Sequence, residues 1–132
     1  MIERKFIVGI VDDDSSVRKA LTRLMRSAGL DVATFASGAE FLEFVQTGEP
    51  DCVVLDLHMP GINGFDVLAE LAAAGSPLPV IVITGHDSED AHARAMAANP
   101  AAYLTKPVND QTLLDVISTA IADAKLKSSP LS

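Results

Sequence analysis

The apolar positions of this 132-residue chain alternate between short continuous runs and helical spacing, in five rounds. Phe6-Ile7-Val8-Gly9-Ile10-Val11 is a continuous run and predicts a buried strand. Val17, Ala20, Leu21, Leu24, Met25 and Ala28 then recur three and four residues apart, which puts them on one face of a helix. Asp14 or Ser15 caps its start and Gly29 ends it. Residues 31–36 predict a second strand. Ser37 and Glu40 have capping-box spacing and open a second helix through about Gln46. Cys52 to Asp56 predicts a third strand, apolar until its last residue. The loop Leu57-His58-Met59-Pro60-Gly61-Ile62-Asn63-Gly64 leads to a third helix over 65–74. A fourth strand covers 79–84. A fourth helix starts near Ser88 and stops at Asn99-Pro100, because Pro100 disfavours helix in the residue before it. Residues 102–105 form the fifth strand. The last helix starts near Asn109 or Asp110, with Leu113, Ile117, Ala120, Ile121 and Ala124 on its buried face. Residues 1–124 are read as one domain, and 125–132 as a polar tail or the start of a linker.

Strands one, three and four are apolar throughout rather than alternating, so both of their faces are covered. Helices between strands then imply an α/β fold, a doubly wound parallel sheet with five strands and five helices. In such sheets the ligand site lies beyond the carboxyl ends of the strands.

Composition narrows the function. Nearly half of the residues are apolar, enough for a normal core, and no apolar run approaches the ~20 residues of a membrane span. The N-terminus lacks the pattern of a secretion signal, which points to the cytoplasm. Cys52 is the single cysteine and reads as a small core residue, so no internal disulfide is expected. The net charge of −8 argues against a grip on nucleic acid but suits a domain that collects a divalent cation.

The placement of the charges is more telling. Asp12, Asp13 and Asp14 follow the first strand, Asp56 ends the third, Thr84 ends the fourth, and Lys106 with Pro107 follows the fifth. Carboxylates, a hydroxyl and an ammonium are thus delivered to one sheet edge, which core packing does not require. Asp12, Asp13 and Asp56 held together repel one another, and a hard cation relieves this. Mg²⁺ takes oxygen ligands and keeps open positions, here from the carboxylates and a backbone carbonyl near His58. A carboxylate can also act as nucleophile and form an acyl phosphate. Asp56, the one acid that ends a central strand, is the expected phosphoacceptor. Lys106 and the Thr84 hydroxyl would share the charge on the transferring phosphoryl oxygens.

Four stretches carry a resemblance: Val11-Asp12-Asp13-Asp14, residues 54–61 from Val54 to Gly61, residues 82–86 from Val82 to His86, and Tyr103-Leu104-Thr105-Lys106-Pro107. Together they resemble the receiver domain of bacterial response regulators in two-component systems, over about residues 6–124. The resemblance implies a flavodoxin-like sheet of order 2-1-3-4-5. It implies Asp12 and Asp13 as the acidic pair holding Mg²⁺ (or Mn²⁺), with Asp13 the more direct ligand and the His58 carbonyl a further one. It implies Asp56 as the phosphorylated aspartate and Thr84 and Lys106 as the switch hydroxyl and phosphate-binding lysine. Tyr103 matches the aromatic residue that turns inward on activation, and the Lys106-Pro107 bond is a candidate cis peptide. The implied partner is a sensor histidine kinase or phosphotransfer protein. The implied output face is helix 4, strand 5 and helix 5, for partner binding or a homodimer, and not for a membrane. Receivers with similar wording after the fourth strand often precede a DNA-binding helix-turn-helix domain. Two positions depart from the usual pattern: the turn before strand five reads Ala98-Asn99-Pro100-Ala101 instead of carrying Gly, and Val108 stands where Phe is common.

Rival readings fare worse on the residues. A phosphohydrolase with an aspartyl-phosphate intermediate needs a second acid two residues after the nucleophile, where His58 stands. A flavin module needs a phosphate cradle after strand one, where three aspartates would repel it. The remaining alternative is a degenerate receiver that acts as a phosphorylation-independent interaction module, against which stands the full set of site residues. The protein is therefore expected to be a signalling switch rather than an enzyme.

Overall fold

A computed structural model describes residues 5–127. The strands are β1 (Ile7–Val11), β2 (Asp31–Phe35), β3 (Cys52–Asp56), β4 (Val80–Thr84) and β5 (Ala102–Thr105). The helices are α1 (Ser15–Ser27), α2 (Gly38–Val45), α3 (Gly64–Ala73), α4 (Glu89–Met96) and α5 (Asp110–Lys127). The strands form one sheet of order β2-β1-β3-β4-β5, and every pair is parallel. This is the doubly wound order anticipated from the sequence.

The continuous apolar strands serve two cores. On β3, Cys52 and Val54 join Val8, Ile10, Ile81 and Ile83 on one face, under Met25 of α1 and Leu113, Ile117 and Ile121 of α5. Val53 and Leu55 point the other way, to Phe41 of α2 and Val67, Leu68 and Leu71 of α3. Alternate residues thus face opposite layers, as the two-residue repeat of a strand dictates. Each fully buried side chain of this size stabilises the fold by roughly 1.5–3 kcal/mol.

Polar residues set where the helices begin. The Asp14 side chain accepts from the Ser16 N–H and caps α1. At α2, Glu40 N–H donates to the Ser37 cap Oγ at 3.2 Å, and the Glu40 side chain reaches past the cap, its Oε2 accepting from the Ala36 N–H at 2.7 Å. Asn63 and Asp66 close a full capping box at α3, each side chain accepting from the other's backbone N–H, which starts that helix at Gly64 rather than Phe65.

Two helix ends differ from the sequence expectation. α4 ends at Met96, ahead of the stop that Pro100 imposes. Asn99 adopts φ 54°, and its N–H returns to the Met96 carbonyl at 3.0 Å. Asn tolerates this left-handed geometry, so it closes the helix where Gly would otherwise be needed. α5 runs to Lys127, so 125–127 of the expected tail are helical. Lys125 stands 4.6 Å over the Phe6 ring, a cation–π contact that ties this last turn to the start of β1. The rest of the expected tail lies outside the described residues. Among the described residues, no helix is long and apolar enough to cross a membrane.

Candidate functional site

Parallel register brings the strand ends level. Val11 pairs with Leu55, Asp56 with Ile83, and Thr84 with Thr105. The residue after β1, the last residues of β3 and β4, and the residue after β5 therefore meet at one edge. They are Asp12, Asp56, Thr84 and Lys106.

Asp12 is buried between its neighbours. Its N–H donates to the Phe35 carbonyl, and its Oδ1 accepts from the Asp14 N–H at 2.9 Å. Its carbonyl accepts from the Arg18 guanidinium at 2.7 Å. Asp13 is exposed beside it. Asp12, Asp13 and Asp56 each offer a carboxylate oxygen, and these lie within 4.8 Å of one another.

Lys106 answers this charge. Its Nζ lies 3.1 Å from Asp12 Oδ2 and 3.7 Å from Asp56 Oδ2. Its backbone N–H donates to the Thr84 carbonyl at 2.8 Å, which fixes the base of the side chain to β4. The Lys106-Pro107 peptide bond is cis. Burial disfavours the Lys106 charge, but the hydrogen bond and charge of Asp12 and the charge of Asp56 outweigh it, and its pKa is raised.

One ammonium does not neutralise the cluster. Burial and the neighbouring Asp12 push the Asp56 carboxyl above its ordinary range, against the pull of Lys106 and the His58 N–H. Three hard oxygen donors with uncompensated negative charge fit a divalent cation of the Mg²⁺ type. Asp12, Asp13 and Asp56 could hold such an ion.

The loops around the cluster are tightly placed. His58 is exposed, and its N–H reaches Asp56 Oδ1 at 3.4 Å, so its backbone borders the acids. Gly64 packs under Asp56. A Cβ there would collide with the Asp56 carbonyl and lie 2.6 Å from Leu57 Cα. Thr84 is fully buried, and its Oγ accepts from the His86 N–H at 3.0 Å. Tyr103 is half-buried, and its hydroxyl donates to Asp87 Oδ1 at 2.7 Å. The structure thus gathers Asp12, Asp13, Asp56, Lys106 and the His58 backbone; Thr84 ends the adjoining strand, and Tyr103 is held away by a loop carboxylate.

Several neighbours were not legible in advance. Arg18 braces Asp12 from α1, and its position one turn beyond the acidic run is the only sequence signal for it. Asp87 and Gly64 carry none of their own. The His58 ring meets His86 at 4.8 Å and Phe65 at 6.1 Å, and Arg94 of α4 covers Phe65 at 4.2 Å. A cavity of about 560 Å³ opens instead at the opposite end of the strands, between Pro77, Pro100 and Val116. Its lining holds no cluster of acids with a lysine or arginine.

Comparison with known proteins agrees with this geometry. A family model described as the response regulator receiver domain matches residues 8–118. Nodulation protein W of Bradyrhizobium diazoefficiens is 42% identical over 116 residues, which are 88% of this chain and 51% of that protein. The transcriptional regulatory protein FixJ of Azorhizobium caulinodans is 37% identical over 114 residues, 86% of this chain and 54% of that protein. The chain spans about half the length of these relatives. Among solved structures, a response regulator receiver protein from Burkholderia phymatum superimposes with a TM-score of 0.79 at 43% identity, covering 89% of this chain and 96% of that one. With the strand order, the edge that gathers the acids and the lysine, and these matches in agreement, the chain belongs to the response regulator receiver family.

Proposed function

We propose that this chain is a phospho-accepting switch in which Asp56 takes a phosphoryl group from the phosphohistidine of a sensor kinase or phosphotransfer protein. The observation that carries this reading is the Lys106 ammonium set between Asp12 and Asp56, at 3.1 and 3.7 Å. A carboxylate so placed has a cation ready for the oxygens of an incoming phosphoryl group.

An oxygen of Asp56 attacks phosphorus and forms a P–O bond. The P–N bond to the donor imidazole breaks, its electron pair returns to that nitrogen, and the imidazole takes up a proton from solvent. Asp12, Asp13, Asp56 and the His58 carbonyl are the residues that would hold Mg²⁺ (or Mn²⁺). When bound, the cation neutralises charge on the phosphoryl oxygens. Lys106 binds a further oxygen, and Thr84 offers its hydroxyl to another. Drawing Thr84 toward the phosphoryl group frees space on β4, and Tyr103 turns inward to fill it. The face made by α4, β5 and α5 then changes shape and engages a partner or a second copy of the chain. The modification biases a two-state equilibrium, and the work of the domain (residues 1–124 with the rest of α5) is signalling rather than turnover.

The test is incubation with acetyl phosphate and Mg²⁺ followed by intact mass measurement. One added phosphoryl group, lost with a chelator, is the expected result. If neither acetyl phosphate nor a phosphorylated kinase adds one, the reading falls and a phosphorylation-independent interaction module takes its place.

A further inference from the structure

Three consecutive residues after β4 each hold something different. His86 donates its backbone N–H to the Thr84 hydroxyl at 3.0 Å. Asp87 accepts the Tyr103 hydroxyl at 2.7 Å. Ser88 caps α4, its Oγ accepting from the Ala91 N–H at 3.0 Å. The switch hydroxyl, the aromatic residue of β5 and the first turn of α4 are thus tied to one short segment of chain.

We propose that Asp87 is a positioning residue that latches Tyr103 outward and so sets how strongly the resting protein resists the phosphorylated state. This rests on the switch proposed above and adds the contact that opposes it. The bond to a carboxylate is charge-assisted and short, stronger than one to a neutral acceptor. The ring is also held from the side: His92 of α4 meets it edge-on at 4.7 Å and 84°. Partial burial and the Asp87 carboxylate push the Tyr103 hydroxyl up to about 12, consistent with a proton kept on the tyrosine side of the bond. Moving Thr84 breaks its bond to the His86 N–H and disturbs the segment whose next residue holds Tyr103. Release of one is thereby coupled to release of the other, without any contact between Asp87 and the phosphoryl group.

The latch predicts that losing it favours the activated pose. The test uses Mg²⁺ with beryllium fluoride, an aspartyl-phosphate mimic, titrated by calorimetry into wild type, Asp87→Ala, Tyr103→Phe and the double variant. Each single variant should bind the mimic roughly three- to tenfold more tightly, the scale of one partly exposed charged hydrogen bond. The double variant should bind no more tightly than the tighter single, because both remove the same bond. Tyr103 is the only tyrosine and there is no tryptophan, so the intrinsic emission of the resting protein reads the latch directly. Asp87→Ala should relieve the quenching of that emission by the carboxylate. Unchanged or weaker binding in Asp87→Ala, with the wild type binding normally, overturns the latch alone. So does an equal gain from Asp87→Ala in the Tyr103→Phe background, which would mark an effect through α4. Failure of the wild type to bind the mimic overturns the switch and the latch together.

Discussion

Gly64 lies directly beneath Asp56: there is no room for a Cβ between the first residue of α3 and the carbonyl of that aspartate. The Gly64 N–H also donates to the Leu57 carbonyl at 3.0 Å, so the β3–α3 loop closes on itself around this contact. The obstacle is backbone, which cannot turn aside as a side chain would. Gly64→Ala is therefore predicted to destabilise the fold by about 1–3 kcal/mol, the usual range for overpacking. It should also slow phosphorylation by displacing Asp56. Urea denaturation checks the first effect; an unchanged midpoint would show that the loop yields freely.

Burial and Asp12 raise the pKa of Asp56 in the folded protein. Below the carboxylate range the group is neutral, folded or unfolded, and adds nothing to the pH dependence. As pH rises through the unfolded value, the unfolded chain loses its proton first, so stability falls until the folded group also ionises. In chelator at neutral pH, Asp56→Asn is predicted to be more stable than wild type. The gap should narrow on acidification and on adding Mg²⁺. Equal stability of the two proteins across pH 3–8 (roughly the span in which carboxylates titrate) would contradict this.

Lys106 Nζ lies beside the oxygens a cation would take, 3.1 Å from Asp12 Oδ2 and 3.7 Å from Asp56 Oδ2. Lys106→Met is predicted to bind Mg²⁺ at least about tenfold more tightly, since a like charge a few ångströms away is removed. It should nonetheless accept phosphoryl groups more slowly or fail to signal, because the oxygen it would bind is left to solvent. Calorimetry settles the first half; weaker Mg²⁺ binding would mean that the cation sits elsewhere.

Cys52 is fully buried at the start of β3, and burial pushes its thiol up to about 12. The thiolate is the reactive form, so a thiol reagent at pH 8 should reach it only when the fold opens. Its labelling rate is predicted to be far below that of a free thiol and to rise with urea. Rapid labelling of the native protein would place Cys52 at an open site.

The order of the elements and the acid edge were legible because they depend on residue type at fixed chain positions. Apolar runs in β1, β3 and β4 announce strands covered on both faces, and Asp56 stands out because an apolar run ends on it. The starts of α1, α2 and α4, near Asp14 or Ser15, at Ser37 and near Ser88, read equally well. Where the chain closes on itself, type was not enough. Pro100 forbids helix beyond Asn99, but α4 stops earlier because Asn99 turns left-handed. The polar composition of 125–127 suggests a tail, yet α5 continues, with Lys125 resting on Phe6. The Asp87–Tyr103 bond joins a loop to a strand sixteen residues on. Only the register of β4 with β5 brings the two together, and no local pattern encodes that register.

The most direct measurement locates the phosphoryl group. The protein is treated with acetyl phosphate and Mg²⁺, the acyl phosphate is reduced with borohydride, and the peptides are sequenced by mass spectrometry. Reduction converts a phosphorylated aspartate to homoserine and leaves a free carboxylate unchanged. Homoserine is expected at position 56 and nowhere else. Homoserine at Asp12 or Asp13 instead, or none with a phosphorylated donor kinase present, would contradict it.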